Sequence, residues 1–340
     1  MRIAVVLNGR RSADEIAELA ALAEANGVRQ LWLSGGARTK DHFLRLAVAA
    51  TRTNRIALGP VAISPFESHP ARIGIALLTL HEITRGRSCI VLGGGGDLAS
   101  TLGVPLRGRV QAVADTIDII RALAQGGEVN YDGERFRVDG LFSPWSGIDP
   151  PPIYVGANRP RMIRMGTHQA DGIMVTDMPL AHITSLVAEI QSGLAAAGRT
   201  GTRFVISNWF VWNVQEGRAE AAALARQQLG FRLYYIRDVA SSLQLSERDA
   251  QDLASRQPAM LRALFEGRAP WTPEAHLTDL LIDQLTISGG REDLEACIER
   301  LRDFERAGVH EMALELHGDP ARAIRLLGQR VVPILARDDD

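Results

Sequence analysis

The chain has 340 residues, 46% of them apolar and 23% charged, and a formal net charge of -2. With a pI near 6.5 it carries no overall basic field, which argues against nucleic acid or an anionic membrane surface as a partner. No apolar run approaches the roughly 20 residues that span a bilayer, and the run in the opening MRIAVVLNGRR is too short for a signal-peptide core, so the expected location is the cytoplasm.

Length alone fits either two average domains or one closed barrel of β/α units, and the order of elements decides. Residues 3–7 form an apolar strand, followed by a helix over 13–25 whose Ile16, Leu19, Ala20 and Ala23 share one face. Ser12 with Glu15 makes a capping box at its start and Gly27 ends it. Strand-length runs recur at 30–33, 55–62, 89–92, 152–155 and 172–175, each followed by a segment of helical period. A seventh strand, 203–214, is aromatic, with Phe204, Trp209, Phe210 and Trp212, and an eighth covers 311–316. Eight near-continuous apolar strands separated by helices predict an α/β chain folded as a parallel (β/α)8 TIM barrel, one domain over 1–340, with the last helix, 320–335, outside it. Cys89 and Cys297 have no partner at metal-ligand spacing and read as buried thiols, and no metal is expected.

Two stretches interrupt the rhythm. Residues 128–138, with the turn Tyr131-Asp132-Gly133-Glu134, predict a β-hairpin after the fourth helix. A helical insertion over 218–273 carries Tyr234, Tyr235, Leu261, Leu264, Phe265 and Trp271. It starts at the C-terminal face, where such barrels place their sites, and reads either as a substrate lid or as an outer layer or dimer surface. Helix 71–80 is apolar on more than one face, which predicts a homodimer unless the barrel's own elements cover both faces.

Two loops carry chemistry. After the fourth strand, Gly93-Gly94-Gly95-Gly96 removes side chains and leaves N–H groups available, so a planar ring fits against the backbone, with Asp97 directly behind it. Gly94-x-Gly96-x-x-Ala99 also fits a loose dinucleotide fingerprint, but it follows a fourth strand and opens no βαβ unit, and the Rossmann reading is rejected. Gly156-Ala157-Asn158-Arg159 precedes a helix with Pro160 in its first turn. Its free amides with Arg159 and Arg161 make a phosphate site or, more plainly, a helix start with solvated arginines.

Residues 59–70 read GPVAISPFESHP, 77–87 LLTLHEITRGR and 88–97 SCIVLGGGGD. Then come EVNYDGERFRVDG at 128–140, PPIYVGANRPRMIRMGTHQADGIMV at 151–175 and GGREDLEACIERLRDFERAGVHEMALEL at 289–316. In this order the set resembles the F420-dependent methylenetetrahydromethanopterin reductase group and its actinobacterial relatives within the luciferase-like superfamily, over nearly the whole chain. The resemblance implies a non-proline cis peptide between Val61 and Ala62 that backs the cofactor ring, with Ser34 and Ser64 nearby. The alternative is an ordinary trans strand ended by Pro65. It also implies that residues 156–159 and Thr176-Asp177 hold the cofactor phosphate.

The sequence departs from that group at the end of the second strand. An Asp-His pair carried there by many F420-dependent members is replaced by Leu33-Ser34-Gly35-Gly36, and His42, a few residues on, reads as a surface or packing residue. The proton donor is thus open. Strand-end candidates are Asp97, Asp177 and His317, with capping of the next turn as the competing role for Asp97 and for His317. The function expected is hydride transfer between coenzyme F420 and a small or medium organic substrate. An FMN-dependent monooxygenase on the same barrel is the second reading, and a non-catalytic barrel that binds a flavin-type cofactor the third.

Overall fold

The computed structural model describes residues 1–232, 243–265 and 275–335. Tyr234, Tyr235 and Trp271 of the insertion lie outside the described residues. In chain order, β1 (Arg2–Asn8), α1 (Ala13–Ala25), β2 (Gln30–Ser34), α2 (His42–Ala50), β3 (Ala57–Val61), α3 (Pro70–Ile83) and β4 (Ile90–Leu92) open the chain. After them come α4 (Asp97–Thr101), α5 (Arg109–Gln125), β5 (Gly127–Asp132), β6 (Arg137–Ser143), β7 (Ile153–Gly156), α6 (Pro160–Gln169), β8 (Gly172–Thr176) and α7 (Leu180–Ala196). The last third holds β9 (Val205–Val214), α8 (Arg218–Arg232), α9 (Glu247–Phe265), α10 (Ala275–Leu285), β10 (Thr286–Gly289), α11 (Leu294–Arg306), β11 (Glu311–Leu316) and α12 (Pro320–Leu326). A π turn over Leu327–Val331 carries α12 on to a final helical turn, Val332–Leu335.

Eight parallel strands stand in the order β3-β2-β1-β11-β9-β8-β7-β4. The remaining gap, between β4 and β3, is spanned by two parallel bridges, Leu58 to Ser88 and Ile63 to Leu92, so the barrel is nearly closed. Alternation along the strands explains the apolar runs. Ala4, Val6, Trp32, Val61, Val91, Tyr154, Met174 and Ala313 fill the barrel, while Val5, Leu31, Leu33, Leu92, Val155, Ile173 and Leu314 pack under the helices. The capping box on α1 forms as its sequence requires, with the Glu15 amide donating to Ser12 Oγ at 3.2 Å and the Ser12 amide to Glu15 Oε2 at 2.7 Å.

Three features depart from the expectations. The hairpin runs on to Ser143, beyond its predicted end. The unforeseen strand β10 pairs with Val211 to Val214 of β9, above the point where β8 stops at Trp209. The second apolar face of α3, carrying Ala71 and Leu78, packs on Ile119 and Leu123 of α5 and on Val129 and Val138 of the hairpin. That face is satisfied within the chain, so these residues of α3 offer no open apolar surface to a second copy. Both cysteines are buried and free, and no described helix is long and apolar enough to cross a membrane.

Candidate active site

The C-terminal ends of β3 and β4 meet at the barrel mouth. The Val61–Ala62 peptide bond is cis, at the position that the resemblance implies. The Gly35 amide donates to the Val61 carbonyl at 3.2 Å, and a Cβ added at Gly93 would fall 3.1 Å from that of Ala62. The glycine loop after β4 therefore lies against the cis turn. Ser34 and Ser64 flank it with hydroxyls engaged by backbone. Ser34 Oγ donates to the Leu7 carbonyl at 3.2 Å, and Ser64 Oγ accepts from the Phe66 amide at 3.2 Å.

Beside this loop is a cavity of about 1040 Å³ into which Gly94, Gly95, Gly156, Ala157, Asn158 and Arg159 all open. The two loops singled out in the sequence thus share one space. Arg109 at the start of α5, Arg161, and Glu134 at the hairpin tip complete its polar wall, so three guanidiniums face one carboxylate. Asn158 is committed to holding the loop. Its Nδ2 donates to the Thr176 carbonyl and its Oδ1 accepts from the Thr176 amide, both at 2.8 Å, which ties β7's loop to the end of β8. Gly95 has φ +93, and a Cβ there would also fall 2.7 Å from Leu106 Cδ2, so its substitution strains the loop itself. Gly96 has open space around its added Cβ, so a side chain there would not strain the loop.

The titratable candidates separate. Asp97 is the first residue of α4, immediately after Gly96. Asp177 is 1% exposed in a left-handed turn, its amide bonded to the Trp209 carbonyl at 2.9 Å, and it does not line the cavity. His317 follows β11, with its side chain 9% exposed. It does not cap the next helix, because Asp319 does so by accepting from the amides of Ala321 and Arg322.

Of the two roles expected for His42, surface or packing, the structure shows packing. Its ring stands over Gly35, where an added Cβ would fall 1.7 Å from Nε2, and Nε2 is buried without a partner. An imidazole thus returns to the end of β2 from the following helix. Burial, helped by the Arg45 guanidinium, pushes its pKa down to about 4, against the opposing pull of Asp41 and the Ser34 carbonyl. The folded state therefore resists a proton that the unfolded chain accepts at about 6.5. Its contribution to stability is complete above that value and is lost as pH falls towards 4, to an extent of up to about 3 kcal/mol. Thermal unfolding of His42→Gln should show a shallower decline over this window, and parallel pH curves would refute the assignment.

Arg109, Glu134 and Glu315 lie outside the sequence expectations. Glu315 accepts from Trp209 Nε1 at 3.0 Å. Arg109 lies well beyond the glycine loop in sequence, and the fold brings its Cβ and Cδ to 3.2 and 3.4 Å from a Cβ added at Gly94.

The sequence model of the luciferase-like monooxygenase family matches residues 1–311. The chain belongs to this family. Among its relatives, the 5,10-methylenetetrahydromethanopterin reductase of Archaeoglobus fulgidus is 28% identical over 323 residues, covering 92% of this chain and 93% of that protein. The F420-dependent glucose-6-phosphate dehydrogenase of Nakamurella multipartita is 29% identical over 203 residues, 54% of this chain and 59% of its own. In fold, the coenzyme F420 dependent tetrahydromethanopterin reductase from Methanopyrus kandleri superposes with a TM-score of 0.82 at 20% identity, covering 98% of each chain. The cis turn and the cavity are thus features of a luciferase-like barrel.

Proposed function

We propose that this member of the family is an F420-dependent oxidoreductase acting on a small or medium organic molecule. The observation that carries the reading is the shared cavity, in which a loop free of side chains adjoins Arg109, Arg159 and Arg161. A planar deazaflavin with an anionic tail fits that donor set, the ring on the glycine loop and the phosphate at the arginines. When bound, the deazaflavin supplies a hydride donor or acceptor at C5. The protein's own residues bind and orient it. The arginines neutralise the phosphate, Asn158 fixes the loop that carries Arg159 to β8, and Gly93 to Gly96 keep the ring's seat free of side chains.

FMN shares a planar ring and a phosphate, so a flavin monooxygenase is the second reading, favoured by the family's name. The relatives named for F420 support the first. Titration of the purified protein should show F420 binding at least about tenfold tighter than FMN, a difference of roughly 1.4 kcal/mol. Tight FMN binding with none for F420 would reverse the order. Gly96→Val should lower F420 affinity with little change in melting temperature, and an unchanged affinity would place the ring elsewhere.

A further inference from the structure

We propose that Glu315 and His317 form the proton-handling pair on the substrate side of the mouth. Their substrate class is a secondary alcohol, a ketone or an imine, whose heteroatom changes protonation as the adjoining carbon exchanges hydride. This rests on the F420 reading above.

Position comes first. In the nearly closed ring of strands, β3, β2 and β1 separate β4 from β11 on one side, and β7, β8 and β9 separate them on the other. The end of β11 therefore stands directly across the mouth from the glycine loop. Ala313 belongs to the inward core, so Glu315, two residues along β11, projects to the same interior near the rim.

The side chains there are arranged in series. Trp209 packs against the inward core and donates through Nε1 to Glu315 Oε2 at 3.0 Å. The other carboxylate oxygen lies 3.6 Å from His317 Nε2, within ion-pair range. The backbone of His317 is held at both ends, its amide bonded to the Trp212 carbonyl at 3.2 Å and its carbonyl to Gln215 Nε2 at 3.2 Å. Arg322 contacts Gln215 and pairs with Glu216 and Glu220, and Arg291 also pairs with Glu216, so two guanidiniums offset the two carboxylates.

One atom in this series has no partner. His317 Nδ1 is buried and without a hydrogen bond, in a side chain more than nine-tenths buried. Buried polar atoms are nearly always paired, and an exception calls for a ligand or a function. With Nε2 turned to Glu315, Nδ1 is the nitrogen left for substrate. In reduction, the N–H bond at Nδ1 breaks and a new bond forms between that proton and the substrate heteroatom. The imidazolium becomes neutral, and the substrate carbon takes the hydride pair from the reduced deazaflavin. In oxidation the heteroatom's proton passes to Nδ1, and Glu315 steadies the resulting cation.

Glu315 is a positioning residue, and the test separates its charge from its packing. Glu315→Gln keeps an oxygen for Trp209 but loses the negative charge. The F420-loaded protein is assayed with isopropanol and cyclohexanol in oxidation, and with cyclohexanone and 1-pyrroline in reduction. Expected results are turnover by the parent and a kcat lower by about 10²-fold or more in both Glu315→Gln and His317→Asn. F420 affinity and melting temperature should stay at the parent's values, and Glu315→Asp should recover part of the rate. Equal kcat in parent and variants overturns the proposal, as does an F420-loaded parent that turns over none of these compounds. Failure to bind F420 would instead bring down the functional reading on which it rests.

Discussion

Replacing Asp115 by alanine is expected to cost about 3 to 5 kcal/mol of stability, the scale of stranding the partners of a buried charge, and to weaken cofactor binding as well. The Asp115 side chain is wholly buried on α5. It accepts from Gln111 Nε2 at 2.7 Å, Tyr131 OH at 3.1 Å, and the amides of Arg135 and Phe136 at 2.9 and 3.2 Å. Three of these four donors belong to the hairpin, so the carboxylate clamps that element to the barrel. Glu134, next to Arg135, is part of the cavity wall, which links the clamp to the ligand. Asp115→Asn retains one acceptor oxygen and should lose less. Chemical denaturation gives the stability and F420 titration the affinity. A variant with parental values of both would show that the hairpin does not depend on this residue.

Arg159→Ala is expected to weaken F420 binding about 10- to 150-fold, equivalent to roughly 1.5 to 3 kcal/mol for a charge-assisted contact. Arg159 sits at the N-cap of α6, where Pro160 supplies no N–H to compensate. Arg109 reaches the same cavity from α5. The double variant should bind more weakly than either single one, and its affinity should depend less on salt, because fewer charges remain to be screened. Titration of all three across a range of salt decides this. Affinity unchanged within error in Arg159→Ala would remove the phosphate from this loop.

The barrel was legible because its strands are buried on both sides, which turns them into apolar runs with polar breaks between. The β10 segment escaped notice for the opposite reason. Thr-Ile-Ser-Gly offers a single large apolar residue, and only pairing with the upper part of β9 makes it a strand. Within the site, the glycine and phosphate loops announced themselves by composition, whereas Arg109 and Glu134 are brought to them by the packing of α5 and the hairpin. Asp115 carries no local signal in the sequence, because three of its four hydrogen-bond donors lie in the hairpin. His42 shows the limit most clearly. Its place along the chain suggests a helix start, yet Gly35 leaves a space that the ring enters, and that closeness appears only in three dimensions. Glu315 was hidden inside an apolar strand, and its inward direction follows from the alternation set by Ala313.

The excursion after β9 leaves the barrel at Val214 and returns through β10, whose Gly289 is the direct partner of Val214. Re-entry itself is at Thr286, the partner of Val211, so both ends of the excursion lie within the same four rungs of one ladder. Because closure entropy rises only slowly with loop length, the length of chain between those two ends is only weakly constrained. Segments of other lengths and compositions should be accepted between the same two ends while the loops after β3, β4 and β7 keep their geometry.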